Sequence, residues 1–475
     1  MGQEELIFTI SGIRGIYGKT LNSEIAEKIG FAYGLWLQNF EKKVIIGRDT
    51  RVSGEELETA VIKGLSYAQC KIINLGICPT PILIYTKNRL KIPGGIIISG
   101  SHNPPEWNGI KLLAEKTLLN NFEVKQISKL LNNNKNFHEV ENQPLNINLI
   151  NEINPFDDYI EKLDKEINFR AVKEKNNLRI ALDTGAGAGK GVTPKILQNM
   201  GCKVKLINND FKNNKFPREI EPIEKNLKEL ISSVLEGGFD IGFAQDCDAD
   251  RIAIIGDDGT CYPEDIGLAI IADYYFQQYY QGNQPIIFVT NLASSLIFEA
   301  LAEKYNSQII RTPVGERNLA EKMENLIQTH GKDSIIFGGE GSCGGVMMPH
   351  FNNTRDGIFA AAKIIEILVK TKEKISKIVS TLPKFYAFRE YINTENKNLE
   401  KIISLLKDEL TLEGEIMHQI DLDLRFGQDN DWFVLIHPSN TEPIIRVISE
   451  ATNENFAKKK ALNTAEKVKS IISSL

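Results

Sequence analysis

No stretch of the sequence reaches the 18 consecutive apolar residues that a membrane-spanning helix needs, so nothing in it predicts a transmembrane segment. Its opening, MGQEELIFTI, lacks the basic residues of a secretion signal, and Leu6 stands where an N-myristoylation pattern wants Ser or Thr. Cysteine is sparse: Cys70, Cys78, Cys202, Cys247, Cys261 and Cys343 are scattered through 475 residues with no CxxC pair. A chain this long needs no disulfide staples, so most of them are expected to be buried, reduced thiols. An excess of positive charge is missing too. Lys and Arg number 56 against 62 Asp and Glu, and the net charge of −6 repels nucleic-acid backbones and anionic membranes unless charge is locally concentrated. Neither is expected as a partner, and an anionic ligand must meet a focused basic pocket. A cytoplasmic enzyme is the expectation these absences leave.

What is present is material for several packed cores. With 42% hydrophobic and 25% charged residues the composition is that of a soluble globular protein, which excludes global disorder. The length suggests about three domains at roughly 150 residues each, with four or two as neighbouring counts. Short β-branched runs recur, each followed by a helical pattern: KKVIIG before EELETAVIKGLSYA, LRIALD before GVTPKILQNMG, PIIFVTN before SSLIFEALAEK, and SQIIRT before ERNLAEKMENL. That alternation predicts α/β units with largely parallel, buried strands. The C-terminal part reads differently: YAFREYI, a helix from about Asn396 to Leu410, the runs WFVLIH and PIIRVIS, and a terminal helix ending near Leu475 predict a smaller α+β domain with an antiparallel sheet. Two asparagine-rich stretches, 132–155 and 208–222, read as linker or surface loop. Boundaries are expected in the first of these, just after DCDADRIAII, and between Val369 and Lys374, giving domains 1–153, 154–256, 257–372 and 373–475.

Five segments carry chemistry. In GGIIISGSHNPPEWNGIKLL (94–113) a buried strand ends in a polar loop with Ser101 and His102, closed by two prolines, before a strand resumes at Lys111. Alone this is also an ordinary Ser-Asn-Pro turn. A serine that attacks or carries a phosphoryl group needs a base, a cation or a metal beside it, and His102 and Lys111 are within reach. In AQDCDADRIAII (244–255), Asp246, Asp248 and Asp250 alternate at the end of an apolar run, oxygen ligands suited to Mg²⁺, and Arg251 adds charge for a phosphate. A Ca²⁺ EF-hand loop would need Gly at Arg251 and Glu at Asp257. A haloacid-dehalogenase-type phosphatase would carry Thr or Val at Asp250. GGEGSCGGVMMPHF (338–351) offers Glu340 and Ser342 to sugar hydroxyls, and by itself could equally be a flexible loop. HPSNTEPIIRV (437–447) gathers Ser439, Asn440, Thr441 and Arg446, the inventory of a phosphate nest, or a simple β-turn. SGIRG (11–15) with GRDTRVSG (47–54) sets arginines beside glycines, another phosphate-friendly arrangement. A sixth glycine-rich string, LDTGAGAGKG (182–191), fails as a Walker A loop: only three residues separate Gly185 from Gly189-Lys190, and Gly191 follows the lysine. It reads as a tight strand-to-helix connection.

In this order SGIRG, the SHNP loop, DCDADR, GGEGS and PSNTEP resemble the α-D-phosphohexomutase family, which includes phosphoglucomutase, phosphomannomutase and phosphoglucosamine mutase. The resemblance spans the whole chain. It implies three related mixed-sheet α/β domains plus a smaller C-terminal α+β domain around a central cleft. It further implies that Ser101 is a phosphoserine that gives its phosphoryl group to the substrate and takes another back, and that Ser101, Asp246, Asp248 and Asp250 hold Mg²⁺. His102 and Lys111 would form the acid/base neighbourhood; Arg14 and Arg251 would face the phosphoserine. Glu340 and Ser342 match the sugar loop, and His437, Ser439, Asn440, Thr441 and Arg446 the distal phosphate clamp. The implied partner is a small-molecule sugar phosphate, the activator a hexose 1,6-bisphosphate, and the assembly a monomer or homodimer. Two departures stand out. His437 replaces the arginine with which many relatives begin the clamp, exchanging a bidentate phosphate contact for a weaker, pH-dependent one. Glu316, in TPVGERN (312–318), stands where glucose- and mannose-handling relatives often carry His; with GGEG and FPREIEP it looks closer to the phosphoglucosamine mutase branch.

Overall fold

A computed structural model of the protein describes residues 7–9, 12–37, 40–133, 137, 144, 146–150, 153–280, 282, 285–331, 334–395, 397–428, 430–439 and 443–475. They divide into two compact units, Met1–Gly267 with Gly344–Ile378, and Leu268–Cys343 with Val379–Leu475. Among the described residues no helix is long and apolar enough to cross a membrane.

The first unit holds two sheets. One contains β1 (Ile7–Thr9), β2 (Gly12–Ile16), β3 (Lys43–Arg48), β4 (Lys71–Ile77), β5 (Gly94–Ile98), β6 (Trp107–Leu113) and β7 (Asn148–Ile150), in the order β1-β2-β6-β5-β3-β4-β7. Strands β5, β3, β4 and β7 run parallel, while β6, β2 and β1 add antiparallel neighbours, so the sheet is mixed. The run Ile96–Ile98 of β5 is buried because helices such as Ser23–Trp36 and Gly54–Tyr67 cover the sheet, and a parallel strand buried on both faces reads as continuous apolar sequence. The second sheet is β11-β10-β8-β9, from β8 (Arg179–Asp183), β9 (Lys203–Ile207), β10 (Ile241–Gln245) and β11 (Ile252–Ile255). β8, β9 and β10 are parallel and β11 is antiparallel. The same unit includes the helix Gly357–Thr371, buried along nearly its whole length and capped by Asp356, whose side chain accepts from Phe359 N.

In the second unit β12 (Ile286–Asn291) lies between β13 (Gln308–Thr312) and β14 (Ile335–Glu340), all parallel. The C-terminal sheet runs β16-β20-β19-β18-β17, from β16 (Tyr386–Asn393), β17 (Met417–Ile420), β18 (Asp423–Gln428), β19 (Trp432–Pro438) and β20 (Ile444–Ala451), every pairing antiparallel. Alternation along β19 sorts its residues. Val434 and Ile436 join Ile445 and Val447 in a core with the helices Leu399–Leu412 and Glu454–Ser474, while Phe433 and Leu435 pack on the opposite face against Leu292 and Leu296.

The expected elements form where the patterns put them, with one difference. The stretch 132–155 is not all linker: β7 pairs in parallel with β4, and Asn154 caps the helix Pro155–Ile167. As an exposed edge strand β7 has no apolar run to announce it. The stretch 208–222 is a loop, but an anchored one, because Arg218 donates to Asp183 Oδ1 (2.9 Å) and to the Gln245 carbonyl (2.8 Å).

Candidate active site

Three chemical loops leave the carboxyl ends of buried strands, the end at which open α/β sheets present their ligands. β5 runs into Ser101, β10 into Asp246, and β14 ends on Glu340 itself. The first two lie in one unit and their residues meet; Glu340 belongs to the other.

Ser101 is 1% exposed and adopts a left-handed backbone, φ 49°. What holds it there is Arg51. This guanidinium is buried and donates to the carbonyls of Ser101 (2.8 Å), Asn103 (2.7 Å), Pro104 (2.6 Å) and Trp107 (2.9 Å), and its Nε pairs with Asp49 (3.2 Å). Asp49 in turn accepts from Ser99 Oγ (2.7 Å), which accepts from Ser101 N (2.8 Å). Glycine at position 100 is required by this packing, since a Cβ would come within 2.6 Å of Arg51 Cζ. The arginines of GRDTRVSG are therefore not phosphate ligands: Arg51 is spent on backbone carbonyls, and Arg48 pairs with Glu58.

Ser101 Oγ donates to Asp246 Oδ2 (3.2 Å) and lies 3.4 Å from His102 Nδ1. One oxygen from each of Asp246, Asp248 and Asp250 falls within 4.8 Å of the others, and all three residues are buried. Ala249 turns the loop with φ 57°. Beneath it lies the GAGAG string: Ala188 N donates to the Cys247 carbonyl (2.8 Å), and a Cβ on Gly187 would meet that oxygen at 2.7 Å. The tight connection expected there acts as a brace for the aspartate loop.

Cations close around the triad. Lys111 Nζ donates to Asp248 Oδ2 (2.7 Å), as does Thr80 Oγ1 (2.7 Å), and Arg355 Nη2 donates to Asp250 Oδ2 (2.5 Å). Arg251 Nε stands 4.0 Å from both Asp246 and Asp250, and Arg14 Nη1 donates to Asn103 Oδ1 (2.8 Å) on the serine loop. Burial, then the charges of Asp250 and Asp248, raise the Asp246 carboxyl well above the usual range. Burial pushes Asp248 the same way, yet Lys111, with Thr80 and Arg355, outweighs it and holds that carboxyl low. Burial opposes the Lys111 charge, and Asp248 and Asp250 together overcome it, so the ammonium is favoured. The His102 imidazole is driven down to about 2 by Arg251 first, then by burial and Arg14, so it stays neutral. Oδ1 of Asp248 and Oδ1 of Asp250 are buried without a hydrogen-bond partner, which suits a cation held by this oxygen-rich set.

In the second unit Glu340 Oε1 accepts from Asn291 Nδ2 (3.0 Å) and Gly315 N (3.0 Å), which joins Glu340 to the TPVGERN segment. Glu316 begins the helix Glu316–His330, where a carboxylate also favours the helix dipole, and Ser342 sits in the short turn Gly341–Cys343. His437 lies directly opposite Arg446 across β19 and β20 and is nearly buried, its Nδ1 2.6 Å from Asp423 Oδ1. Ser439 N donates to the Ile444 carbonyl (2.9 Å); Asn440 and Thr441 lie outside the described residues, as does Ser11 of SGIRG. Sequence reasoning missed Arg355 and Thr80 as parts of the site, and gave Arg51 to a phosphate where the structure gives it to the serine-loop carbonyls. Arg355 lies four residues beyond the glycine-rich segment 338–351 and just before the helix cap Asp356, a basic residue at a helix start that could have marked it.

Comparison with known proteins places this geometry. Three models of the family described as phosphoglucomutase/phosphomannomutase match, alpha/beta/alpha domain I over residues 5–138, domain II over 157–259 and domain III over 263–386. A phosphoglucomutase/phosphomannomutase of Thermococcus kodakarensis is 35% identical over 95% of this chain and 96% of its own. A phosphoglucosamine mutase of Methanococcus maripaludis is 34% identical over 97% and 99%. Among solved structures, a phosphoglucomutase/phosphomannomutase family protein of Burkholderia thailandensis superposes with a TM-score of 0.79 at 23% identity, covering 97% of this chain and 98% of that one. The fold and the matches define an isomerase of the hexose-phosphate mutase class. The chain belongs to the α-D-phosphohexomutase family, that of phosphoglucomutase and phosphomannomutase.

Proposed function

We propose that the enzyme interconverts hexose 6-phosphate and hexose 1-phosphate through a phosphoserine at Ser101 and a bisphosphorylated sugar. The observation that carries this reading is the contact of the buried Ser101 Oγ with Asp246 among the cations Lys111, Arg14, Arg251 and Arg355. In the first transfer a sugar hydroxyl attacks phosphorus, the P–O bond to Ser101 breaks, and the arginines and Lys111 stabilise the charge on the transferring group. The bisphosphorylated sugar then reorients, and its other phosphate returns a phosphoryl group to Ser101. The charge states separate the two acid/base candidates: Lys111 enters as a cation able to donate, His102 as a neutral imidazole able to accept.

Asp246, Asp248, Asp250 and the Ser101 phosphate are the groups that would hold Mg²⁺, which when bound neutralises phosphoryl oxygens. A hexose 1,6-bisphosphate serves as activator by supplying the phosphoryl group to an unphosphorylated Ser101. Glu316, Glu340 and Ser342 address the sugar; His437, Ser439, Asn440, Thr441 and Arg446 address the distal phosphate. We read the chain as four domains, with the antiparallel C-terminal sheet as the fourth, beyond the three that have family models.

Glucosamine phosphate is the substrate favoured by Glu316, since a carboxylate near the sugar suits an ammonium substituent, and relatives named for that sugar match the whole chain. The glucose and mannose phosphates are the second reading, favoured by the relative from Thermococcus kodakarensis. Turnover of glucosamine, N-acetylglucosamine, glucose and mannose 1-phosphates, primed with a bisphosphate, tests both. Release of free phosphate instead of isomerised product would make the enzyme a phosphatase, and no turnover of any sugar would leave a sugar-phosphate-binding protein.

A further inference from the structure

Two carboxylates of the triad are built with one oxygen tied down and the other left over. Asp248 Oδ2 takes hydrogen bonds from Lys111 and Thr80, and Asp250 Oδ2 takes one from Arg355. On both residues Oδ1 is buried and has no hydrogen-bond partner, although each aspartate is 0% exposed. Arg251 Nε stands 4.0 Å from Asp250 Oδ1, beyond hydrogen-bond reach. Arg355 is not a chance neighbour. It crosses 105 positions of sequence to reach Asp250, its side chain is only 12% exposed, and its stem lies so close to Gly345 that a Cβ there would stand 2.5 Å from Arg355 Cδ.

We propose that Arg355 and Thr80, together with Lys111, are positioning residues that restrict Asp248 and Asp250 to one oxygen each, and that this restriction selects Mg²⁺ over Ca²⁺. Mg²⁺ takes single oxygens in a strict octahedron, whereas Ca²⁺ fills six to eight positions and commonly uses both oxygens of a carboxylate. To bind Ca²⁺ in that way, Asp250 must first break a buried, charge-assisted bond to Arg355, and Asp248 must break two. Mg²⁺ needs neither bond broken. The inference rests on the reading of the triad as a divalent-cation site.

Calorimetric titration of Mg²⁺ and of Ca²⁺ into the whole enzyme tests it without any measurement of turnover, with folding followed by circular dichroism. The wild type is expected to prefer Mg²⁺. In Arg355→Met the ratio of the two Kd values should move toward Ca²⁺ by about tenfold, the scale of lost outer-shell support. Arg355→Lys keeps a donor of similar reach and should keep the wild-type ratio. Thr80→Val, a small change at a site that retains Lys111, should move it about threefold and carries the test if Arg355→Met does not fold. A ratio within about twofold of wild type in both Arg355→Met and Thr80→Val overturns the selection. So does a wild type that prefers Ca²⁺, or an Arg355→Lys variant as altered as Arg355→Met. A wild type that binds neither ion overturns the cation-site reading itself.

Discussion

Replacing Arg51 is the most direct perturbation of the serine loop, because one guanidinium holds four loop carbonyls and the Asp49 carboxylate at once. Arg51→Lys keeps the positive charge, but an ammonium has three donors at a single point and cannot span a fork-shaped set of acceptors. At least two of these five acceptors lose their donor, at about 1 kcal/mol each, so about 2 kcal/mol of stability should go. Arg51→Met also leaves Asp49 as an uncompensated buried charge, which costs about 3–5 kcal/mol. Thermal unfolding of the two variants beside the wild type gives the order. Since the Ser101 carbonyl is among the acceptors, Arg51→Lys should also lose mutase activity well beyond its loss of stability. Should Arg51→Lys match the wild type in both unfolding and turnover, the loop would be held by its prolines and Ser99, and the stapling argument would fail.

Ser101→Ala should abolish turnover yet unfold within about 1 kcal/mol of the wild type, and peptide mapping of the wild type should find a phosphorylated fraction at Ser101; substantial activity in the variant removes the serine from the mechanism. Chelation should stop turnover, and Asp248→Asn should weaken Mg²⁺ binding measured by calorimetry while leaving the circular dichroism spectrum unchanged; full activity after chelation would make the triad structural. Glu316→Gln should lower the preference in kcat/KM for glucosamine over glucose phosphate about tenfold, or about 1.4 kcal/mol, whereas a helix-dipole role alone would cost at most about 1 kcal/mol of stability and leave the ratio unchanged. Burial lifts the Asp356 carboxyl to about 6, above about 3.9 in the unfolded chain, so the folded state holds its proton longer. Stability should fall by about 3 kcal/mol as pH rises from about 4 to about 6 and then level off, and Asp356→Asn should remove that slope in denaturant unfolding.

The serine loop and the aspartate triad were legible because their chemistry is contiguous: a buried strand followed at once by Ser101-His102, or by three alternating carboxylates, announces itself without tertiary information. Partners brought in by folding left no such mark. Thr80 meets Asp248 across 168 positions, and no local pattern distinguishes a threonine at a helix start from one that also holds a metal-site carboxylate. Arg51 shows a different limit. Its donors suit a phosphate and a set of carbonyls equally well, and only the fold decides which it meets. His437 is similar: its place in the clamp string was readable, but Asp423 beside it comes from the neighbouring strand β18. The parallel sheets followed from their apolar runs, while the edge strand β7, exposed and three residues long, offered no periodicity to read.

On the proposed reading, a phosphoryl group on Ser101 and a divalent cation balance each other's charge at the site. With all three carboxylates ionised, as cation ligands must be, Lys111, Arg14, Arg251 and Arg355 set four positive charges against three negative ones, one charge positive in sum. A phosphoryl dianion added alone would turn the pocket negative in a triad where burial first, and then repulsion from Asp250 and Asp248, already raises Asp246. A divalent cation alone would make it threefold positive beside three arginines that already keep His102 neutral. Added together they return the pocket to its starting balance, so neither needs a counter-charge from solvent in a place where burial makes imbalance costly. On this argument the unphosphorylated enzyme should bind Mg²⁺ more weakly than the phosphoenzyme. The same arginines that suppress the His102 proton affinity in the free-serine state must then partner the phosphate, which is the change that would let His102 take up a proton during transfer.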